Sequence, residues 1–144
     1  MLLKQVSIFL ENKSGRLAEV SRILGKNNID ISALSIADTT EFGILRLIVN
    51  NPDLAVKIIN EQGFTVATTE VIAICVDDKP GGISKALDCL EENHIGIEYM
   101  YAFIGNTRKD KALVIIRVED VQHALDVLAK NNIEIIPADE IYNM

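Results

Sequence analysis

The chain has 144 residues, of which 49% are hydrophobic and 24% charged, and its formal net charge is −7. This composition is ordinary for a folded globular protein, and the acidic balance argues against a nucleic-acid partner, which would need a basic face. The apolar runs are far too short to span a membrane, and the N-terminus lacks the charged leading segment of a signal peptide. We therefore expect a cytoplasmic protein with neither nucleic acid nor membrane as a partner.

The first half of the chain repeats in the second half. Residues 5–38 lie over residues 71–104 at a constant offset of 66, so that Gly15 meets Gly81. Three extra residues before Lys111 then change the offset to 69. The repeat predicts two domains.

The predicted domain bounds are 1–69 and 70–144. A domain of this size buries only about 60% of its unfolded surface and is marginal alone. We therefore expect the halves to pack against each other or the chain to form a homodimer. A protein of two copies has two equivalent sites, or one site that the copies share.

The predicted elements follow the same order in both copies. Apolar residues at every second position predict a first strand around residues 5–10 and again around 71–76. After a glycine-containing turn, apolar residues at helical spacing predict a helix that lies on a sheet. Asn27-Asn28 and Asn93-His94 end these helices with residues that tolerate the left-handed conformation.

Two strands, a second helix and a last strand complete each copy. The predicted second and third strands are Ile29–Ile36 and Ile44–Val49, then Ile95–Ala102 and Ala112–Val118. Asn51 and Asp120 are the predicted N-caps of the second helices. Last strands are expected near 64–69 and 133–136, and the alternation over 65–76 predicts that the first of them runs almost straight into the next copy.

The order strand–helix–strand–strand–helix–strand predicts the fold class. It is the split β-α-β pattern of ferredoxin-like α+β folds, in which one antiparallel sheet carries two helices on one face. We therefore predict two tandem ferredoxin-like βαββαβ units.

A polar turn joins the first strand to the first helix in each copy. Backbone N–H groups at a helix start have no partner inside the helix and attract an anion such as a carboxylate. Side-chain oxygens of Asn12 and Asp78 can accept from an ammonium, and glycine lets a ligand approach the backbone. The turns therefore suit an amino-acid zwitterion, although such turns also serve geometry alone. The candidate residues are Asn12, Lys13, Ser14, Gly15, Arg16, Leu17, Asp78, Lys79, Pro80, Gly81, Gly82 and Ile83.

Motifs for catalysis or metal binding are missing from the sequence. It contains no G-x-S-x-G, H-E-x-x-H or P-loop pattern, and its two histidines and two cysteines lack zinc-site spacing. Cys75 and Cys89 lie within apolar patterns and are expected to be reduced thiols in the core. We predict a protein that is not an enzyme and holds no metal or cofactor.

The residue pattern resembles the ACT domain, in two tandem copies that cover essentially the whole chain. The resemblance rests on a hydrophobic strand, an Asn/Asp-x-Pro/Ser-Gly-x-Leu/Ile turn, a helix, an Asn-Asn-Ile-x-Ile segment and the strand–strand–helix–strand that follows. It implies ferredoxin-like regulatory modules that bind amino acids between paired domains. It also implies that the second strands align edge to edge into an eight-stranded sheet.

The same resemblance implies which residues contact a ligand. A polar residue before the loop's Pro-Gly, here Asn12 or Asp78, often does so in the family. A second polar contact often comes from the start of the second strand, which is Asp30 beside Ile31 in copy one but Gly96 in copy two.

The two copies depart from each other at these positions. Ser14 stands where copy two keeps Pro80, so the sites are not expected to be equivalent. Arg16 either clamps a carboxylate or is simply solvated. Tyr99 and Tyr101 share one face of a strand and either line the pocket or cover an interface.

The resemblance implies allosteric regulation by a free amino acid bound between the two ACT domains, with the effect passed to an enzyme elsewhere. The main alternative is a detached regulatory subunit of an amino-acid biosynthetic enzyme such as acetolactate synthase, which the full repeat disfavours. An enzyme of unrecognised chemistry and a purely structural dimerisation module are further alternatives.

Overall fold

The computed structural model describes residues 2–11, 13–38, 42–105 and 108–144. The chain divides into two compact units. The N-terminal unit is Lys4–Thr69, and the C-terminal unit is Glu70–Tyr142 with residues 2–3. Each has the predicted ferredoxin-like architecture, an antiparallel sheet with helices on one face.

The elements alternate as the repeat predicts. Before the middle of the chain they are β1 (Leu3–Glu11), α1 (Arg16–Lys26), β2 (Ile31–Asp38), β3 (Phe42–Val49) and α2 (Pro52–Glu61). They continue as β4 (Thr65–Asp77), α3 (Gly82–Glu92), β5 (Ile97–Ala102), β6 (Lys111–Val118), α4 (Val121–Lys130), β7 (Glu134–Ile135) and α5 (Ala138–Tyr142). The prediction that the last strand of copy one runs into the first strand of copy two is confirmed, because β4 is one strand of 13 residues.

The strand pairing is equivalent in the two units. In the N-terminal unit β3 pairs antiparallel with β1 and β2, and Glu11 lies opposite Phe42. In the C-terminal unit β6 pairs antiparallel with β4 and β5, and Asp77 lies opposite Lys111. The edge-to-edge pairing of β2 with β5 into an eight-stranded sheet stays a prediction.

Each unit has its own aliphatic core between sheet and helices. In the first, Val20 and Leu24 of α1 pack with alternate residues of β1 and β3. In the second, Ala86 and Leu90 of α3 do the same on β4 and β6. Burying such side chains stabilises a fold by about 1.5–3 kcal/mol each.

Two features differ from the sequence prediction. Gln5 and Ser7 alternate with apolar residues of β1, a pattern typical of a half-buried strand. Both are nevertheless buried, and Gln5 Nε2 donates to Ser7 Oγ over 3.0 Å. The last strand, predicted over 133–136, has only two residues, because Pro137 follows and α5 begins at Ala138. Helix α5 is an additional element that was not predicted from the sequence.

The cysteines lie where the apolar pattern placed them. Cys75 and Cys89 are free thiols, and both are buried. Burial raises the pKa of the Cys89 thiol. Among the residues described, no helix is long and apolar enough to cross a membrane.

The predicted helix ends are confirmed. Asn28 and His94 have φ values of 58° and 57°, in the left-handed region. The side chain of Asn51 accepts from the Leu54 N–H over 3.2 Å, and that of Asp120 accepts from the His123 N–H over 3.1 Å.

We expect Asn51→Ala to lower the free energy of unfolding by about 1 kcal/mol, because the Leu54 N–H loses its acceptor at the start of α2. Urea unfolding followed by circular dichroism measures this. Asn51→Gly is the matched control and should cost only a few tenths of a kcal/mol, roughly. Equal stability of Asn51→Ala and the wild type would show that this cap contributes nothing.

Candidate ligand-binding site

The predicted turns have the same backbone in both units. Gly15 has φ 87° and ψ −7°, and Gly81 has φ 84° and ψ −6°. Each is the N-cap residue of the following helix, and neither helix start has a side-chain cap among the described residues. The first N–H of each helix donates to a carbonyl of the turn, Arg16 to Lys13 over 3.4 Å and Gly82 to Lys79 over 2.9 Å. The next N–H groups have no partner inside the helix and can bind solvent or an anion.

Glycine is required at these two positions by backbone conformation. A Cβ at Gly15 or Gly81 would meet no heavy atom within 4 Å, so crowding is not the reason. The reason is the positive φ, a backbone conformation that residues with a side chain rarely adopt. The lack of a side chain at these glycines also lets a ligand approach the backbone, as the sequence predicts.

Gly82 is required for a different reason. A Cβ there would lie 1.9 Å from the carbonyl oxygen of Asp77, so the start of α3 packs directly on the end of β4. Arg16 occupies the equivalent position in the first copy.

The charged residues of the turns pair locally. Lys13 Nζ lies 2.9 Å from Glu11 Oε2, and the Lys13 ammonium holds the pKa of Glu11 below its usual range. Lys79 Nζ lies 3.9 Å from Asp77 Oδ2, and the Asp78 N–H donates to the Asp110 carbonyl. Ser14, Asp78 and Pro80 are exposed. Asn12 lies outside the described residues, so its predicted role stays a prediction.

Arg16 points from the start of α1 towards an aromatic ring. Its Nη1 lies 3.0 Å from Glu19 Oε2, and its Cζ lies 5.6 Å from the centroid of the Phe64 ring, within the range of a cation–π interaction. The guanidinium is thereby held beside the turn.

Arg16 and Phe64 belong to a cleft of about 240 Å³ in the N-terminal unit, which we call the aromatic cleft. It is lined by Phe9, Glu11, Arg16, Phe42, Gln62, Gly63, Phe64 and Thr65. Its phenylalanines are not among the site residues predicted from the sequence. They are far apart in the chain, and only the pairing of β1 with β3 and the return of the chain after α2 bring them together.

The other side of the turn faces an apolar groove of about 400 Å³ between α1 and strands β2 and β3. Leu17 and Ile31, both predicted site residues, line it together. Asp30 does not reach the turn within its own unit, because it lies beyond the far end of α1, a helix roughly 16 Å long. Its backbone N–H donates to Asn50 Oδ1 instead.

In the C-terminal unit, ion pairs occupy the positions that correspond to the aromatic cleft. Lys111 Nζ lies 2.5 Å from Asp77 Oδ1, and the Lys111 ammonium lowers the pKa of Asp77. Arg108, in the loop lengthened by three residues, pairs with Glu134 and Glu140. Those two carboxylates raise the pKa of Arg108 above its already high ordinary value.

Ile83 and Tyr99 are the remaining predicted residues. Ile83 is partly exposed on α3. Tyr99 stacks on Tyr101 of the same strand, with ring centroids 6.5 Å apart and an interplanar angle of 24°. The prediction that both rings share one face is confirmed. Within the described part of the chain, no group of three or more histidine, cysteine, aspartate and glutamate side chains could hold a metal.

Comparison with known proteins identifies the family. The model of the ACT domain pair matches residues 1–144. The chain belongs to the ACT family. The two turns are therefore the strand–helix turns of two ACT domains, and the predicted family membership is confirmed.

Solved structures share the fold of this chain. Protein BT0572 from Bacteroides thetaiotaomicron is 41% identical over 100% of this chain and 98% of its own, with a TM-score of 0.92. The regulatory subunit of aspartate kinase from Thermus thermophilus shares the fold, with 14% identity, 89% and 91% of the two chains covered and a TM-score of 0.64. None of the curated proteins matches this chain.

Proposed function

We propose that this ACT pair is a non-catalytic, cytoplasmic regulatory protein that binds a free amino acid. The observation that carries the proposal is a left-handed glycine, Gly15 or Gly81, before a helix start that has no side-chain cap among the described residues. It occurs in both copies of a chain that the ACT domain pair matches over residues 1–144. A helix start of this kind favours a carboxylate.

The N-terminal turn is the stronger candidate of the two. Glu11 and Arg16 stand at its two ends and supply one acceptor for an ammonium and one donor for a carboxylate, and both line the aromatic cleft. Charge-assisted hydrogen bonds of this kind are about twice as strong as neutral ones. In the second copy Gly82 replaces Arg16, so the side-chain donor for a carboxylate is missing there, although the carboxylates of both turns pair with a lysine. The two turns, predicted to be non-equivalent because Ser14 stands where copy two has Pro80, thus also differ in their charged residues.

Regulation follows if the ligand binds one arrangement of the protein better than another, since a ligand shifts a population only by its differential affinity. In this proposal the effect passes to a separate enzyme, with or without formation of a homodimer. The family precedent of a ligand between paired domains stays part of this proposal. The alternative is a detached regulatory subunit, and the fold is shared with the regulatory subunit of aspartate kinase from Thermus thermophilus.

Thermal unfolding in the presence of each of the twenty amino acids tests the proposal. A ligand at a hundred times its dissociation constant stabilises the native state by about 2.7 kcal/mol, which raises the midpoint by several degrees in a protein of this size. We expect one amino acid, or a small related group, to do so and to be recovered unchanged. The D-enantiomers are the matched control. A midpoint that none of the twenty moves, or turnover of the amino acid, would contradict the proposal.

A further inference from the structure

The aromatic cleft collects most of the phenylalanine in the protein. The chain has four phenylalanines and no tryptophan, and three of the four line this one cleft. Phe64 is buried at 8% exposure, whereas Phe9 and Phe42 are 41% and 48% exposed. Exposed apolar side chains that line one concavity are typical of a binding surface.

The position of the rings follows from the strand register. Phe9 and Glu11 are two residues apart on β1 and therefore share a face of the sheet. Phe42 lies directly opposite Glu11 on β3. Phe64 adds the third ring at the entry to β4 and carries the Arg16 guanidinium. The lining of the cleft thus combines two exposed phenylalanines and the buried Phe64 with one cation and one anion.

The size and charge of the cleft select the kind of ligand. Its volume of about 240 Å³ lies below the range of drug-sized pockets, so it fits a small metabolite. The ion pair with Glu19 uses Nη1 of Arg16, and a guanidinium has five N–H donors, so Arg16 can hold Glu19 and a ligand carboxylate together. Lys13 favours the ionised form of Glu11, which suits a ligand ammonium.

The second copy has no phenylalanine at the positions equivalent to Phe9, Phe42 and Phe64. On the two repeat offsets, Cys75 replaces Phe9, Lys111 replaces Phe42, and Ile133 replaces Phe64. The rings are thus replaced by a thiol, an ammonium and an aliphatic side chain. Shared ancestry of the copies therefore does not account for the three rings.

We propose that the aromatic cleft is the specificity pocket of the N-terminal unit and takes the side chain of an aromatic amino acid. Arg16 and the first turn of α1 hold the ligand's carboxylate, Glu11 accepts from its ammonium, and the three phenyl rings contact its ring edge to face or in offset stacks. This inference rests on the proposed function and adds the class of ligand and the unit that selects it.

L-Tryptophan is a direct probe, because the chain contains no tryptophan of its own. Its fluorescence, excited where tyrosine does not absorb, reports binding to the intact protein. Displacement by unlabelled amino acids then ranks their affinities. We expect L-tryptophan, L-tyrosine or L-phenylalanine to bind at least about tenfold more tightly than L-leucine, L-lysine or L-aspartate.

Two variants separate the side-chain contacts from the charge contacts. Phe42→Ala should lower the affinity for aromatic amino acids by about tenfold and change the affinity for L-leucine by no more than about twofold. Arg16→Gln should lower the affinity for every amino acid that binds by about tenfold or more. The matched controls are Ile104→Ala, which truncates an exposed side chain of the other unit, and Arg22→Gln, on the exposed face of α1. Both should bind as the wild type does. Phe9→Ala repeats the test on a second strand.

The outcomes distinguish the inference from the function on which it rests. Tightest binding of an aliphatic or charged amino acid would overturn the inference and leave the proposed function in place. So would aromatic ligands whose affinity neither Phe42→Ala nor Phe9→Ala changes. Failure of all twenty amino acids to bind would overturn both.

Discussion

Replacing Gly82 with alanine should destabilise the protein by roughly 3 kcal/mol. The new Cβ would lie 1.9 Å from the Asp77 carbonyl oxygen, and a backbone atom cannot move aside as a flexible side chain can. The start of α3 would have to shift off the end of β4, which weakens packing throughout the C-terminal unit. Urea unfolding monitored by far-ultraviolet circular dichroism measures the change.

Gly25→Ala provides the matched control for Gly82→Ala. Gly25 lies inside α1, and a Cβ there would meet no heavy atom within 4 Å. Alanine at such a position should stabilise the protein by about 0.5–1 kcal/mol, because it restricts the unfolded chain and favours the helix. Equal effects of the two substitutions would contradict the direct packing of α3 on β4.

Truncating Leu24 or Leu90 to alanine should cost about 2–5 kcal/mol each. Both side chains are fully buried at equivalent positions of α1 and α3, one in each core. Removing three heavy atoms from a packed core loses their transfer free energy and leaves a cavity. Each variant should show a lower denaturation midpoint and unchanged amide signals in the other unit until that midpoint is reached.

Leu17→Ala is the control for the core truncations, since it is the same change on the same helix at a side chain that is 42% exposed. It should alter the unfolding free energy by no more than about 0.5 kcal/mol. If a core truncation is as mild as Leu17→Ala, the aliphatic core of that unit does not stabilise it as proposed here.

The architecture could be predicted from the sequence because it depends on local patterns that the chain presents twice. Alternation specified β1 and β4, the helical spacing of apolar residues specified α1 and α3, and Asn51 and Asp120 marked helix starts by a known hydrogen bond. A single copy with these patterns would have been ambiguous. The constant offset of 66 between the copies made each element a check on the other.

The aromatic cleft and the burial of Gln5 and Ser7 were not predicted, because they depend on contacts between residues that are distant in the chain. Phe9, Phe42 and Phe64 carry no shared local pattern, and only the register of β1 with β3 joins the first two. The repeat did hold a signal that was not used, because each of the three has a non-aromatic residue at its counterpart position. Burial of Gln5 and Ser7 was missed for a related reason, since alternation shows which residues share a face and not what covers it.

Calorimetric titration of the intact protein with the amino acid that gives the largest thermal shift tests the central claim most directly. We expect saturable binding of one ligand per chain, which Arg16→Gln weakens by about tenfold or more and Arg22→Gln leaves unchanged. The heat-capacity change should be negative, because apolar surface in the aromatic cleft is buried. The absence of saturable heat with any of the twenty amino acids would contradict the claim that this ACT pair binds a free amino acid.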